Sequence, residues 1–524
     1  MDRPGYVELY FGLSDSRNEA TENREAFVRT YVDIHGATAA VVNGQKFLVL
    51  GPKGTGKSAL AWYLEATEQD GDHLALVREA SDLPLAEVPR LQTGQTPGPE
   101  RTVVAWKFIL LCNYLELLLR DQSSSLQLDA EVHRVTGLLR DYGFIGDASG
   151  RALLTWSTST VTIPIPKLGP LYQRESRREL NIYNLLPYME TWASDADSQL
   201  RHVLLLDGLD SIYLNDSKYD QSLASLVQAA YSVNQKLRSR GATGSVVLLM
   251  RNDVFSRIAL SLPDSQKMKD DLSIDLDWRV LSGHVGINEP LMQLVNIKAA
   301  RGVGLESVNV LSYFPERITV GGRAGGFRRT FPTFKYLLNM TRHTPRDLLR
   351  LFEEIRKVEA SKSLPSSKDT LSDEVIREGV LRYSTGYFAN AIRNEFAGYA
   401  GGPESAAAAL TALKAINAQI FDAEDFAVAL AEANEAYVPL TRDLLRLLFF
   451  AGAIGNFVGA GQSEKTYMQF YHRRDESEIY VKGKFILHHA LVHAWNVPRT
   501  RRTKDATGRT TGSSTRLGGF SRPT

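Results

Sequence analysis

Three short stretches of the chain are apolar almost without a break: Gly44–Gly51 (GQKFLVLG), Arg201–Asp210 (RHVLLLDGLD) and Gly244–Asp253 (GSVVLLMRND). A run of four to eight apolar residues between turn signals predicts a strand buried on both faces. Segments of helical period lie between these runs. Strands that alternate with helices predict a parallel α/β sheet.

The remaining pattern divides the chain further. Residues 1–45 (with SRNEATENREAFVRTYVDI) are polar-amphipathic and predict a helical accessory segment packed on the core. Residues 46–260 predict the sheet-bearing core with insertions. Within it, DLPLAEVPRLQTGQTPGPER (82–101) reads as loop, and TVTIPIPKLGP (Thr160–Pro170) as an edge strand or loop arm. Val103–Leu119 is the most apolar stretch. Lys107, Asn113 and Glu116 interrupt it, so it predicts a buried helix rather than a membrane span.

Beyond residue 260 strand signals fade. Residues 261–360 predict a helical lid, broken by VGGRAGGFRRT, and SKSLPSSKDTLSD then reads as a linker. Across 374–498, helices (FDAEDFAVALAEA, TRDLLRLLFFAGAIGN) precede two strand-like runs (YMQFYHR, EIYVKGKFIL) and a final HHALVHAWN. Helices followed by a hairpin is the order of a winged helix. Residues 499–524 carry seven Lys/Arg against one Asp and almost nothing apolar, which predicts a disordered basic tail.

Composition sets the outer limits. A length of 524 residues, 43% hydrophobic and 23% charged, fits two to four globular domains. The net charge of +1 supplies no global attraction to nucleic acid or membrane. One cysteine, Cys112, excludes an internal disulfide framework and a multi-cysteine zinc site, and suits a reducing compartment. The opening MDRPGYVELYFG has no basic-then-apolar leader. A cytoplasmic location is therefore expected.

The chemistry sits in Gly51-Pro-Lys-Gly-Thr-Gly-Lys-Ser58, which satisfies G-x-x-x-x-G-K-[ST] at every fixed position between a predicted strand and a predicted helix. Glycines let successive backbone N–H groups turn toward phosphate oxygens, and the helix adds the positive end of its dipole. Gly51, Pro52, Lys53, Gly54, Thr55, Gly56, Lys57, Ser58 and Ala59 form the expected phosphate-binding set. Lys57 would reach the β- and γ-phosphates, and Ser58 would bind Mg²⁺. Asp207, closing HVLLLD, supplies the second Mg²⁺ acid. Asp210, three residues on, is placed to orient or deprotonate water. Arg251 ends the third strand, where a polar tip can sense the γ-phosphate or form a surface ion pair. Pro345 and Arg346 in HTPRDLLRLF open a helix. Arg346 either faces a nucleotide or pairs with Asp347 or Glu353.

These elements, in this order, resemble the AAA+ and STAND P-loop ATPases. GPKGTGKS matches their Walker A motif. LLLDGLDS is similar to the NACHT-type Walker B, with Ser211 where a further acid is usual and Gly208 where AAA+ enzymes carry their catalytic Glu. MRND resembles a sensor-1 strand end, with Arg251 as the sensor, and HTPRDLLRLF resembles a sensor-2 helix, with Arg346 as the sensor. The YFG opening, the TPRDLL helix and LLFFAGAIGN…FILHHALVHAWN are similar to a group of bacterial ATPases of defence or mobile loci. The resemblance implies ATP and Mg²⁺, slow hydrolysis, and a protein partner or homo-oligomer. Arg257 and Arg301 are arginine-finger candidates by neighbourhood alone and read better as structural.

Three functions follow. The first is a nucleotide-dependent switch, favoured by the missing Walker B glutamate, with a setting in antiviral defence implied by the resemblance. The second is a motor or loader on DNA or RNA, favoured by the basic tail. LTRDLLRLLFFAGAIGN offers a groove only Arg442 and Arg446. The third is a small-molecule kinase, which leaves the Arg346 helix and the C-terminal domain unexplained. His488, His489 and His493 read as structural rather than as metal ligands.

Overall fold

The computed structural model describes residues 3–13, 15–68, 71–83, 88, 99–141, 144–146, 162–164, 179–209, 217–278, 290–306, 308–320, 329–362, 370–396, 402–458, 467–473, 479–497, 501–504 and 510–513. The chain divides into two compact units. One is Asp15–Asp277; the other combines Met1–Ser14 with Trp278–Thr524.

The first unit opens with three short helices, α1 (Ser16–Glu22), α2 (Arg24–Thr30) and α3 (Ala37–Val42). Asp15 and Asn23 cap the first two through their side chains. Then follow β1 (Leu48–Leu50), α4 (Lys57–Thr67), β2 (His73–Glu79), α5 (Pro99–Arg120), α6 (Ala130–Asp141), α7 (Ile182–Asp195), β3 (Arg201–Asp207), α8 (Ser217–Ser239), β4 (Gly244–Met250), α9 (Asn252–Ile258), α10 (Ser265–Leu272) and β5 (Ser273–Asp275). The five strands form one parallel sheet in the order 2-3-4-1-5. β1, β3 and β4 are the three apolar runs, and Leu48–Leu50, Val203–Leu206 and Val246–Met250 are buried. Helices cover both faces of a parallel sheet, so its central strands carry no polar alternation.

Two strands of this sheet escaped the sequence reading. β2 contains Arg78, which broke the apolar pattern. Its guanidinium is buried against α5, where Nε donates to Asn113 Oδ1 (2.8 Å) and Nη2 pairs with Glu116 (2.8 Å). β5 is three half-buried residues at the sheet edge and has no apolar run to signal it. It carries the sheet past the expected boundary at 260. Of TVTIPIPKLGP, Thr162–Pro164 are described and pair antiparallel with Glu179–Asn181; its other positions lie outside the described residues.

α5 is the one described helix long and apolar enough to cross a membrane, and 72% of its apolar window, Thr102–Arg120, is buried in the protein. Below it, Asp121 accepts hydrogen bonds from Ser123 (2.7 Å), Ser198 and His202 Nε2 (2.9 Å). This tie closes the sheet end where β3 begins. Burial holds the His202 pKa below its ordinary value despite the carboxylate.

The second unit takes in the first residues of the chain. The expected single segment 1–45 is divided, because Tyr6 and Phe11 are apolar anchors within the second unit. Tyr6 packs tilted or edge-on against the rings of Phe11, Tyr313 and Phe314 and donates its hydroxyl to Phe352 O (3.1 Å). The unit continues with α11 (Pro290–Gly302), α12 (Thr333–Leu338), α13 (Pro345–Ala360), α14 (Asp373–Arg382), a π-helix (Tyr383–Phe388) and α15 (Ala389–Glu395). α16 (Gly402–Ile416), β6 (Ile420–Asp422), α17 (Ala423–Asn434), α18 (Thr441–Phe450), β7 (Ile454–Val458), β8 (Tyr467–Gln469), β9 (Lys484–Leu487) and α19 (His489–Ala494) follow. Two antiparallel hairpins are also described, Arg317–Val320 with Arg329–Pro332 and Arg501–Lys504 with Thr510–Ser513, and the second lies in the tail expected to be disordered. β6-β9-β7-β8 is an antiparallel sheet, and the helix–strand–helix–helix–hairpin order is winged-helix-like. The run expected to continue as helix through GAIGN stops at Phe450. Gly452 takes a left-handed φ of +77°, Ala453 N bonds back to Leu448 O, and β7 begins two residues later.

A buried clamp joins the turn before α13 to the C-terminal helices. Arg342 donates to both oxygens of Asp347 (2.8 and 2.9 Å) and to Glu395 (3.1 Å), and Tyr387 of the π-helix donates to Asp347 (3.0 Å). Burial pushes the Asp347 pKa up, but Arg342 outweighs it and holds the carboxyl below its usual range. The Phe388 ring stacks on His488 at 4.5 Å, and His488 caps α19 by accepting from Ala490 N. His488 is thus structural, and no metal-binding cluster occurs among the described residues.

Candidate functional site

β1 ends at Leu50 and α4 starts at Lys57, so the predicted phosphate loop is a strand-to-helix turn. Gly54 (φ +85°) and Gly56 (φ +102°) occupy left-handed backbone that L side chains resist. At Gly51 a Cβ would lie 2.7 Å from Thr55 Oγ1, and that hydroxyl is needed to donate to Pro52 O (2.9 Å). The loop curls around the buried Lys57 ammonium, which donates to Gly51 O (2.8 Å) and Pro52 O (2.9 Å). Lys53, Ser58 and Ala59 are half-buried on the same loop and first helical turn.

The other residues of the first unit's site lie on the same sheet edge. Leu50 is in register with Met250 and Asp275, and Leu206 with Leu248. The C-terminal ends of β1, β3, β4 and β5 therefore finish together, at the edge where α/β proteins bind ligands. Asp207 closes β3 and is largely buried. Arg251, buried, follows β4 and makes a bidentate pair with Asp253, both contacts at 2.9 Å. Ser58 hydroxyl and Asp207 carboxylate are hard oxygen donors of the kind that hold Mg²⁺ beside phosphates, so the donor set fits that ion. Asp210 lies outside the described residues.

Arg346 belongs to the second unit. It stands half-buried on the first turn of α13, after Pro345, with Thr344 capping Asp347 N. The alternative pairings expected for it do not occur. Asp347 is taken by Arg342, and Glu353 by Arg356 (2.7 Å). Adjacent helical residues do not face each other, which leaves Asp347 to an arginine outside the helix. Arg257 pairs with Asp220 (2.8 Å), a structural role.

Two residues at the edge were missed from sequence. Asn252 donates its amide to both oxygens of Asp275 (3.1 and 3.0 Å), which links β4 to β5. Glu79 ends β2 as the register partner of Asp207. HLALVRE, an apolar run closed by an acid, carries the same signal as HVLLLD and was masked by Arg78.

No family model matches the sequence, and no curated protein matches it. Among solved structures, the chain is similar to the ORC2 protein of Aeropyrum pernix in its ADP form, at 11% identity and a TM-score of 0.31, covering 83% of this chain and 90% of that one. It is also similar to CDC6P of Pyrobaculum aerophilum, at 12% identity and a TM-score of 0.25, covering 86% and 93%. The fold described above rests on strand order and register.

Proposed function

We propose that the protein is an AAA+/STAND-like ATPase that binds ATP with Mg²⁺, hydrolyses it slowly, and works as a nucleotide-dependent switch toward a protein partner or further copies of itself. The observation that carries this reading is the phosphate loop wound around Lys57, on the same sheet edge as Asp207. Lys57 and the loop amides hold the β- and γ-phosphates; Ser58 and Asp207 hold the ion. Asp210 orients water. Arg251 and Arg346 sense the nucleotide, roles the motifs imply. With Gly208 in place of an acid directly after Asp207, turnover is slow and the bound nucleotide sets the state. A setting in antiviral defence is what the motif resemblance implies.

Charge on the C-terminal domain supports a protein partner over nucleic acid. From Ala423 to Phe450 the exposed charged side chains are Glu424, Asp425, Glu432, Glu435 and Asp443 against Arg442 and Arg446. A helix pair with acidic excess repels phosphate backbones. The second reading, a motor or loader on DNA or RNA, keeps the basic tail as its support.

Phosphate release from ATP, alone and with double-stranded DNA, single-stranded DNA or RNA at several salt concentrations, separates the two. Lys57→Ala is the blank and is expected to lose nucleotide binding. Slow turnover indifferent to nucleic acid supports the switch. Stimulation that fades with salt moves the assignment to the motor or loader. Full ATP affinity in Lys57→Ala overturns the site.

A further inference from the structure

Gly208 removes the usual proton acceptor from the Asp207 strand end, and the neighbouring strand offers a replacement. Side chains alternate along a strand. His73 lies against α4, with Nε2 3.0 Å from Leu64 O, whereas Arg78 bonds to Asn113 and Glu116 of α5. Glu79 is therefore on the α4 face, six residues from His73. His202 reaches the other face, where it meets Asp121, so Asp207, five residues on, also lies on the α4 face. Register pairs the two acids directly, Glu79 with Asp207. The helix beneath them is the one whose first turn holds Lys57 and Ser58.

Two other acids among the described residues of this edge are committed. Asp253 holds Arg251, and Asp275 holds Asn252. Glu79 has one ion pair, Arg17 Nη1 to Oε1 at 2.7 Å, and its side chain is 35% exposed, with Arg17 54% exposed and lying over Trp62 of α4. A pair this open is weak and exchanges readily with water.

We propose that Glu79 is the general base for ATP hydrolysis, an assignment that rests on the ATPase reading above. Water attacks the γ-phosphorus. The new P–O bond forms as the bond from the γ-phosphorus to the β,γ-bridging oxygen breaks, and its electron pair leaves on ADP. The proton of the water passes to the Glu79 carboxylate and from there to solvent. Asp210 orients the water and Asp207 remains with the ion.

The test compares Glu79→Gln and Glu79→Asp with the wild type and with Lys57→Ala. Binding is followed with a fluorescent ATP analogue, and turnover by phosphate release from pH 5 to 9. Glu79→Gln is expected to keep its affinity within about twofold and lose turnover by about 100-fold or more, the span of general-base catalysis. Its residual rate should lack the fall toward acid pH shown by the wild type, and Glu79→Asp should restore part of both. Wild-type turnover in Glu79→Gln, or loss of binding in parallel with turnover, overturns the assignment. Wild-type protein that binds ATP yet releases phosphate no faster than Lys57→Ala defeats the hydrolysis reading itself, and Glu79 with it.

Discussion

At the residue scale the two ends of the site depend on different physics. Lys57 acts by position: the loop geometry, set by Gly54 and Gly56, brings its ammonium back over the Gly51 and Pro52 carbonyls. The acids act by chemistry on water, and each should separate binding from turnover. Asp210→Ala is expected to retain nucleotide affinity in a titration and to lose phosphate release. Turnover at the wild-type rate in that variant would remove Asp210 from the water-orienting role. Arg251 shows why a motif does not give a side chain its direction. The strand end was legible, but the guanidinium is turned to Asp253, two residues along.

Among elements, the turn between α12 and α13 gathers several buried polar groups. Asp347 is fully buried and takes hydrogen bonds from Arg342 and Tyr387, while Glu395 takes the remaining Arg342 contact. Removing one partner of a buried pair strands the other charge, at a cost of about 3–5 kcal/mol. Asp347→Asn should lower unfolding free energy by about that amount in denaturant titrations at pH 7. The Asp347 pKa is depressed in the folded state, so its contribution is present above the unfolded carboxyl value and is lost as pH falls through the folded one. The gap between variant and wild type should stay level from neutral pH to about pH 4 and narrow below it. A gap that widens in acid would mean that the ion pair is not what Asp347 contributes.

For the whole molecule, the sheet unit has its own core and contains the phosphate loop, Asp207 and Arg251 within Asp15–Asp277. A unit with its own core folds alone in principle. Residues 15–277 expressed separately should unfold cooperatively and bind an ATP analogue, with Lys57→Ala of the fragment as the blank. A fragment that folds but binds no nucleotide would show that residues of the second unit are needed for affinity.

By itself the sequence determined the central strands, the glycine-bearing strand-to-helix turn after β1 and the place of Asp207 at the end of β3. Buried parallel strands need continuous apolar runs, and a phosphate loop needs glycines at fixed spacing, so both leave a one-dimensional trace. β5 left none, and Arg78 interrupted the trace of β2. Arg78 is tolerated in β2 because Asn113 and Glu116, thirty-five and thirty-eight residues away, satisfy it. β5 needs only the hydrogen bonds of its neighbour. The helix end at Gly452 was readable in principle, yet GAIG carries enough apolar residues to pass for more helix. Only tertiary structure decided that Tyr6 and Phe11 join the second unit, that Arg342 rather than Arg346 holds Asp347, and that Glu79 stands beside Asp207. Each of these is a pairing between residues distant in the chain or in competition for one partner. Strand register and burial choose the winner, and neither is written in local order.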